Sequence, residues 1–149
     1  MLRSEIGALR SLLEVFRSPE DIETRLRSDI GPLFKGWEFA VYRGVGRGYE
    51  GVTVIHVEFY SVPEGSGGLA KVQADHQIKL SVGPPTSSVT PKYWKTGDPM
   101  PTKLEARVVR SEGTPPFRRV SGTPEKVVSA VTKWFHANRD TLTKEGQYA

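Results

Sequence analysis

The stretch from Ala70 to Val82 reads AKVQADHQIKLSV and decides the fold that the sequence predicts. Two sets of side chains alternate along it: Val72, Ala74, His76, Ile78, Leu80 and Val82 in one set, Lys71, Gln73, Asp75, Gln77, Lys79 and Ser81 in the other. Successive side chains of a β-strand point to opposite faces of the sheet, so this period of two predicts one strand over the whole stretch. We expect a central antiparallel strand with the first set buried and the second open to solvent.

The length of the chain, 149 residues, predicts a single domain over residues 1–140 and a polar, frayed tail over residues 141–149. Cysteine is absent, which excludes disulfides and thiolate chemistry. No apolar run approaches the ~20 residues of a membrane span. Glu5 and Glu14 interrupt the apolar start of the chain, which argues against a secretory signal. We therefore expect an intracellular protein, cytoplasmic or inside a host cell, with no membrane partner.

The positive charge of the chain lies in its last third. Residues 1–100 contain 12 Lys and Arg against 12 Asp and Glu, whereas residues 101–149 contain 9 against 5. The formal net charge of +4 therefore comes from residues 101–149 alone. A localised excess of positive charge favours an anionic partner on that part of the surface.

Helices are predicted at both ends of the chain. The spacing of Leu2, Ile6, Leu9, Leu13 and Phe16 forms one apolar stripe on a first helix. Ser18-Pro19-Glu20-Asp21 has the composition of a helix start and predicts a second helix that Gly31-Pro32 ends. Thr123-Pro124-Glu125 repeats this start and opens a last helix that we expect to end near Asn138.

Four further segments have the composition of strands or of their connections. Trp37–Arg43 and Val52–Val62 are predicted strands, and Gly44–Gly51 between them is read as a hairpin loop. Lys103–Arg110 is a fourth strand, and Phe117–Val120 is a short bridge or edge strand. The prediction is an α+β fold: a four- to five-stranded antiparallel sheet with two N-terminal helices and one C-terminal helix packed on one face.

The positions of His56 and His76 depend on the register of the second and third strands. If paired residue numbers sum to 132, the two histidines face each other and form a candidate functional pair. Sums of 131 or 133 place Ile55, Val57 and Phe59 on the face of Ala74, His76 and Ile78. The odd sum buries more apolar surface, so we expect His76 inward and His56 outward.

Basic and aromatic residues form the candidate site, because cations bind phosphates and aromatic rings stack on bases. The candidate nucleic-acid-binding residues are Arg43, Arg47, Tyr49, Lys71, Lys79, Lys92, Tyr93, Trp94, Lys95, Lys103, Arg107, Arg118 and Arg119. They favour a non-enzymatic protein that binds DNA or RNA on an exposed sheet face and its rim loops. No metal or cofactor is expected, since no histidine has a ligand at metal spacing, and no candidate nucleophile has a local base.

An interaction or assembly module for another protein is the alternative. Tyr93 and Trp94 would then anchor the partner from the long loop that precedes Pro101. The stripe from Leu2 to Phe16 would pair two copies of the chain as a homodimer.

Overall fold

The computed structural model describes residues 16–45, 53–85 and 100–144. Its elements are α1 (Pro19–Ile30), a 3₁₀ helix (Gly31–Phe34), β1 (Trp37–Val45), β2 (Thr53–Pro63), α2 (Gly68–Val72), β3 (Gln77–Gly83), β4 (Leu104–Glu112), β5 (Val120–Gly122) and α3 (Pro124–Leu142). The strands form one antiparallel sheet in the order β1-β2-β3-β4-β5. The predicted α+β class with its antiparallel sheet is confirmed.

Both long helices begin where the sequence predicts, for the reason that it suggests. The Ser18 hydroxyl accepts a hydrogen bond from the Asp21 N–H at 3.3 Å, and the Thr123 hydroxyl does the same for the Lys126 N–H at 3.3 Å. Each cap satisfies a backbone donor that the first turn leaves without an intrahelical partner. A proline follows each cap at the first helical position, where its missing N–H costs nothing.

Aromatic contacts join the long helices to the inner face of the sheet. The Phe34 ring lies 4.5 Å from Phe59 of β2 and 5.8 Å from Phe135 of α3, between ring centroids. The same buried cluster contains the apolar faces of α1, α3 and the sheet, with members Ile22, Leu26, Ile30, Val127, Val131, Val57, Ile78, Leu80 and Leu104. Placement of all three predicted helices on one face stays a prediction, because residues 1–15 of the first lie outside the described residues.

The expectation of one strand from Ala70 to Val82 is wrong in its first half. Gly68–Val72 is the short helix α2, and β3 begins only at Gln77. The observed pairing with β2, continued backwards, would place Ala74 opposite Pro63, which has no N–H to donate. The Gln77 side chain instead donates to the carbonyls of Val72 at 2.9 Å and Ala74 at 3.3 Å, which closes the turn between α2 and β3.

The register of β2 on β3 differs from both predicted alternatives. Phe59 pairs with Ile78 and Ile55 with Val82, so the residue numbers sum to 137. The prediction of an odd sum is right, and Ile55, Val57 and Phe59 do share the inner face. Their partners are Ile78, Leu80 and Val82 rather than Ala74 and His76, because β3 starts after those two residues.

The C-terminal elements also shift from their predicted ends. Helix α3 continues one turn past Asn138 to Leu142, whose side chain is fully buried in the core. The short fifth strand covers Val120–Gly122 rather than Phe117–Val120, and it pairs only with the first three residues of β4. Residues 145–149 of the predicted tail lie outside the described residues.

The aromatic cluster yields a stability prediction. Phe135→Ala should lower the free energy of unfolding by about 3–5 kcal/mol, because it removes a fully buried ring and leaves a cavity. The measurement is urea unfolding followed by far-ultraviolet circular dichroism. Leu69→Ala is the matched control: its side chain is 72% exposed, so a change within about 0.5 kcal/mol is expected. Equal effects of the two substitutions would contradict the described core.

Candidate functional site: the polar face of the sheet

The polar face is the sheet face opposite the shared apolar side chains of β2 and β3. Strand pairing arranges its residues in rows that cross four strands. The rows are Tyr42–His56–Ser81–Arg107, Ala40–Glu58–Lys79–Arg110 and Glu38–Tyr60–Gln77–Glu112. Glu105 lies in a further row between Gly83 and Ser121. Most of these side chains are polar or charged.

The polar face is only partly open, contrary to the expectation that its side chains are exposed. His56, Gln77, Ser81 and Glu105 are all buried on it. Most of the buried polar groups have partners, as buried groups generally do: Gln77 donates to the turn before β3, and Glu105 pairs with Arg119. Ser81 Oγ lies 3.0 Å from His56 Nδ1, and the Tyr42 ring lies 5.2 Å from the His56 ring. This part of the face is a packed polar layer rather than a contact surface.

The inward position predicted for His76 and the alternative that pairs it with His56 are both wrong. His56 lies opposite Ser81 on the sheet, so it is not paired with His76. His76 precedes β3 and is half-buried, with Nδ1 2.7 Å from the carbonyl oxygen of Gly113. His56 does lie on the outward, polar face as expected, but it is buried there against Tyr42 and Ser81. His76 is not on the inner face, because β3 starts at Gln77.

Tyr42 is held between a carboxylate and an ammonium group. Its hydroxyl donates to Glu58 Oε2 at 3.0 Å, and Lys79 Nζ lies 5.7 Å from its ring centroid. Burial, and then the charge and hydrogen bond of Glu58, raise the pKa of Tyr42 well above its ordinary value. The phenol therefore stays neutral and acts as a hydrogen-bond donor at physiological pH.

A second tyrosine on the polar face has the same kind of cover. Lys71 of α2 places Nζ 5.6 Å from the Tyr60 ring centroid and 3.4 Å from Glu38 Oε1. Tyr60 also joins Val62 and Ala74 in a small second apolar cluster. Helix α2 thus lies against this face, and the candidate cation Lys71 is engaged by Glu38 and Tyr60.

Cations accumulate on the part of the polar face that β3 and β4 form. Lys79 and Arg110 are direct cross-strand partners, and Arg107 occupies the next row. Arg110 reaches this face because the pairing shifts between Lys79 and Leu80, which leaves Val109 as an extra residue in β4. Lys103, immediately before β4, and Arg118, before β5, are both exposed.

Glu105 and Arg119 form an ion pair whose two members differ sharply in exposure. The distance from Arg119 Nη2 to Glu105 Oε2 is 2.7 Å; the side chains are 62% and 1% exposed, respectively. Oε1 of Glu105 is buried and has no hydrogen-bond partner in the part of the chain that the structure describes. Arg119, a candidate phosphate ligand by sequence, thus has a structural role in neutralising a buried carboxylate.

Besides Lys71 and Arg119, which form ion pairs, and the exposed Arg118, the structure separates the sequence-predicted site residues into three groups. Arg43 belongs on the helix side, where it pairs with Glu20 at 2.8 Å and Glu23 at 3.1 Å, so its placement on the contact face is wrong. Lys79, Lys103 and Arg107 lie on or beside β3 and β4 as expected. The candidates outside the described residues are Arg47, Tyr49, Lys92, Tyr93, Trp94 and Lys95.

Sequence reasoning missed Arg110 as a site residue. Strict alternation from Lys103 through Arg107 places position 110 on the inner face, and only the bulge at Val109 reverses that assignment. The alternating sequence of β4 gives no indication that a bulge is present. In the structure, the bulge is visible in the exposed side chain of Val109.

Comparison with protein-family models, curated proteins and solved structures found no match to the chain. Among residues 16–45, 53–85 and 100–144, no three His, Asp or Glu side chains converge on a possible metal position. Within the same ranges, no helix has the length and apolar character to cross a membrane.

Tyr42 yields a prediction about pH. Because its pKa is raised in the folded state, the stability that it contributes is present below about pH 10 and is lost as the pH rises above that value. Ultraviolet titration of tyrosinate should show the same absorbance change near pH 10 for the native protein and for Tyr42→Phe. Glu58→Gln should lower the pKa of Tyr42, whereas a smaller absorbance change near pH 10 in Tyr42→Phe would contradict the assignment.

The pair of Glu105 and Arg119 yields a second prediction. Arg119→Ala should destabilise the protein by about 1–3 kcal/mol, because it leaves a buried carboxylate without its partner. The double variant Glu105→Met, Arg119→Ala should recover much of that loss in urea unfolding, since it removes the buried charge as well. Additive losses in the two single variants and the double variant would mean that the residues do not act as a pair.

Proposed function

We propose that the protein binds nucleic acid, without catalysing a reaction, on the part of the polar face that β3 and β4 form. The observation that carries the proposal is the direct cross-strand pairing of Lys79 with Arg110. Like charges directly opposite each other destabilise a sheet. A bound polyanion would offset that repulsion, because each phosphate brings negative charge to both cations.

The surroundings of this cation pair support the same reading. Within the described residues, neither Lys79 nor Arg110 has a carboxylate oxygen within 4.0 Å. Arg107 lies in the next row, and exposed Lys103 extends the positive charge along β4. Glu58 is the neighbour of Lys79 on β2, and one of its carboxylate oxygens accepts a hydrogen bond from the Tyr42 hydroxyl. Because Lys79 and Arg110 are not held in close ion pairs among the described residues, they can exchange counterions for phosphates and gain free energy when a nucleic acid binds.

The β1–β2 part of the polar face differs in charge from the β4 part, where Lys103, Arg107 and Arg110 outnumber Glu105 and Glu112. Glu38 and Glu58 are both located there, and Glu38 already pairs with Lys71. Phosphates would be repelled by these carboxylates, so the proposed contact region is confined to Lys79, Lys103, Arg107 and Arg110. An intracellular setting, where nucleic acid is available, goes with this proposal.

The alternative, a protein-interaction or homodimeric assembly module, depends on Tyr93, Trp94 and the stripe from Leu2 to Phe16. These residues, apart from Phe16, lie outside the described residues. No contact on the polar face favours that alternative over a polyanion. It stays a prediction from the sequence.

A charge-removal experiment tests the proposal. Lys79→Gln, Arg110→Gln should weaken binding to duplex DNA and to single-stranded RNA at least tenfold at low salt, because two phosphate contacts are lost. Fluorescence anisotropy of labelled oligonucleotides measures the dissociation constant at two salt concentrations.

The matched control removes the same charge from another surface. Lys126 and Lys144 are exposed at the two ends of α3, and Lys126→Gln, Lys144→Gln lowers the net charge equally. This control should change the dissociation constant less than threefold. Equal losses in the two double variants, or no binding by the native protein at low salt, would overturn the proposal.

A further inference from the structure

The tyrosine rings on the polar face decide how a nucleic acid could be read there. Sheets that bind single strands commonly stack bases on exposed aromatic rings, each stacked base contributing about 1–3 kcal/mol. In the described residues, the polar face carries two tyrosines, Tyr42 and Tyr60. Stacking requires that one flat surface of a ring be open to the ligand.

Both rings are already engaged. The ammonium groups of Lys79 and Lys71 lie 5.7 Å and 5.6 Å from the ring centroids of Tyr42 and Tyr60, within cation–π range. Tyr60 is also 8% exposed, and the Tyr42 hydroxyl is held by Glu58. A base that stacked on either ring would have to displace a lysine and abandon a cation–π contact.

The carboxylates add a second obstacle to stacking at these rings. Glu58 accepts the hydrogen bond of Tyr42, and Glu38 lies in the same row as Tyr60. A nucleotide stacked on either tyrosine would bring its own phosphate close to these negative charges. Stacking on Tyr42 or Tyr60 is therefore disfavoured, because the phosphate of the stacked nucleotide would be repelled by Glu58 or Glu38.

The cations, by contrast, follow one strand. Lys103, Arg107 and Arg110 extend along β4 over about 23 Å at the usual rise per residue of a strand, and Lys79 is directly opposite Arg110. This linear arrangement suits a chain of phosphates that runs along β4. Four such cations can contact about four phosphates.

We infer that the polar face, as the described residues form it, recognises the sugar–phosphate chain of a nucleic acid and does not stack its bases on Tyr42 or Tyr60. The inference rests on the proposed function and specifies its ligand chemistry: a phosphodiester chain of any sequence, single- or double-stranded. Lys79 has two roles in this arrangement. It covers the Tyr42 ring and presents its charge beside Arg110.

An oligonucleotide without bases tests the inference. The probes are a mixed-sequence single-stranded DNA of about 16 nucleotides, the upper end of common site sizes, its duplex, and an abasic strand of the same length. The abasic strand should bind within threefold of the mixed-sequence strand. Four phosphate contacts predict a slope of log K on log salt of about −2.8 for single strands and about −3.6 for the duplex.

The charge-removal variants connect these measurements to the proposed residues. Lys79→Gln, Arg110→Gln should weaken binding of the abasic strand and of the mixed-sequence strand by the same factor, because both probes present the same phosphates. Lys126→Gln, Lys144→Gln again serves as the charge-matched control and should leave both nearly unchanged.

The possible failures are distinguishable. If the mixed-sequence strand binds and the abasic strand binds more than tenfold more weakly, bases are read somewhere on the chain; the inference is overturned while nucleic-acid binding stands. A tenfold preference among sequences of equal length would overturn it in the same way. If no probe binds at low salt, the inference and the proposed function both fall.

Discussion

The pairing of Phe59 with Ile78 is the contact on which the architecture depends, because it sets which face of each strand meets the helices. In this register the apolar side chains of β2 and β3 share one face, where Phe34 and Phe135 pack against them. A shift by one residue would turn every side chain of β3 to the other face. The polar face and its charges are therefore a consequence of the same register that builds the core.

Pro63 limits how far the pairing of β2 with β3 extends. Beyond Tyr60, the Ser61 N–H donates to the His76 carbonyl and the His76 N–H donates to Ser61 Oγ, and β2 ends at Pro63. The chain that alternation assigns to a strand instead forms α2, which brings Lys71 over Tyr60. Because the strand pairing ends here, Lys71 covers Tyr60 and pairs with Glu38, and it is no longer available to bind a phosphate.

Charge on the polar face is divided between two kinds of environment. On β1 and β2, the acidic residues have internal partners: Glu38 has Lys71 and Glu58 has the Tyr42 hydroxyl. At the other edge, Arg119 neutralises the buried Glu105. Between them, Lys79 has Glu58 opposite it on β2 and Arg110 opposite it on β4. The like-charged pair is a local cost to the fold that supports a role for these residues in binding an anion.

The sequence by itself determined the helix starts, the antiparallel class and the shared inner face of Ile55, Val57 and Phe59, because capping groups and a period of two act over a few neighbouring residues. Tertiary structure alone decided the register, the helix over Gly68–Val72, the salt bridges of Arg43 with α1 and the bulge that turns Arg110 outward. These features depend on partners distant in the chain: Ile78 opposite Phe59, Glu20 and Glu23 beside Arg43, Lys79 opposite Arg110. Local periodicity contains no information about such partners, since the free energy that selects them arises only when separate elements meet.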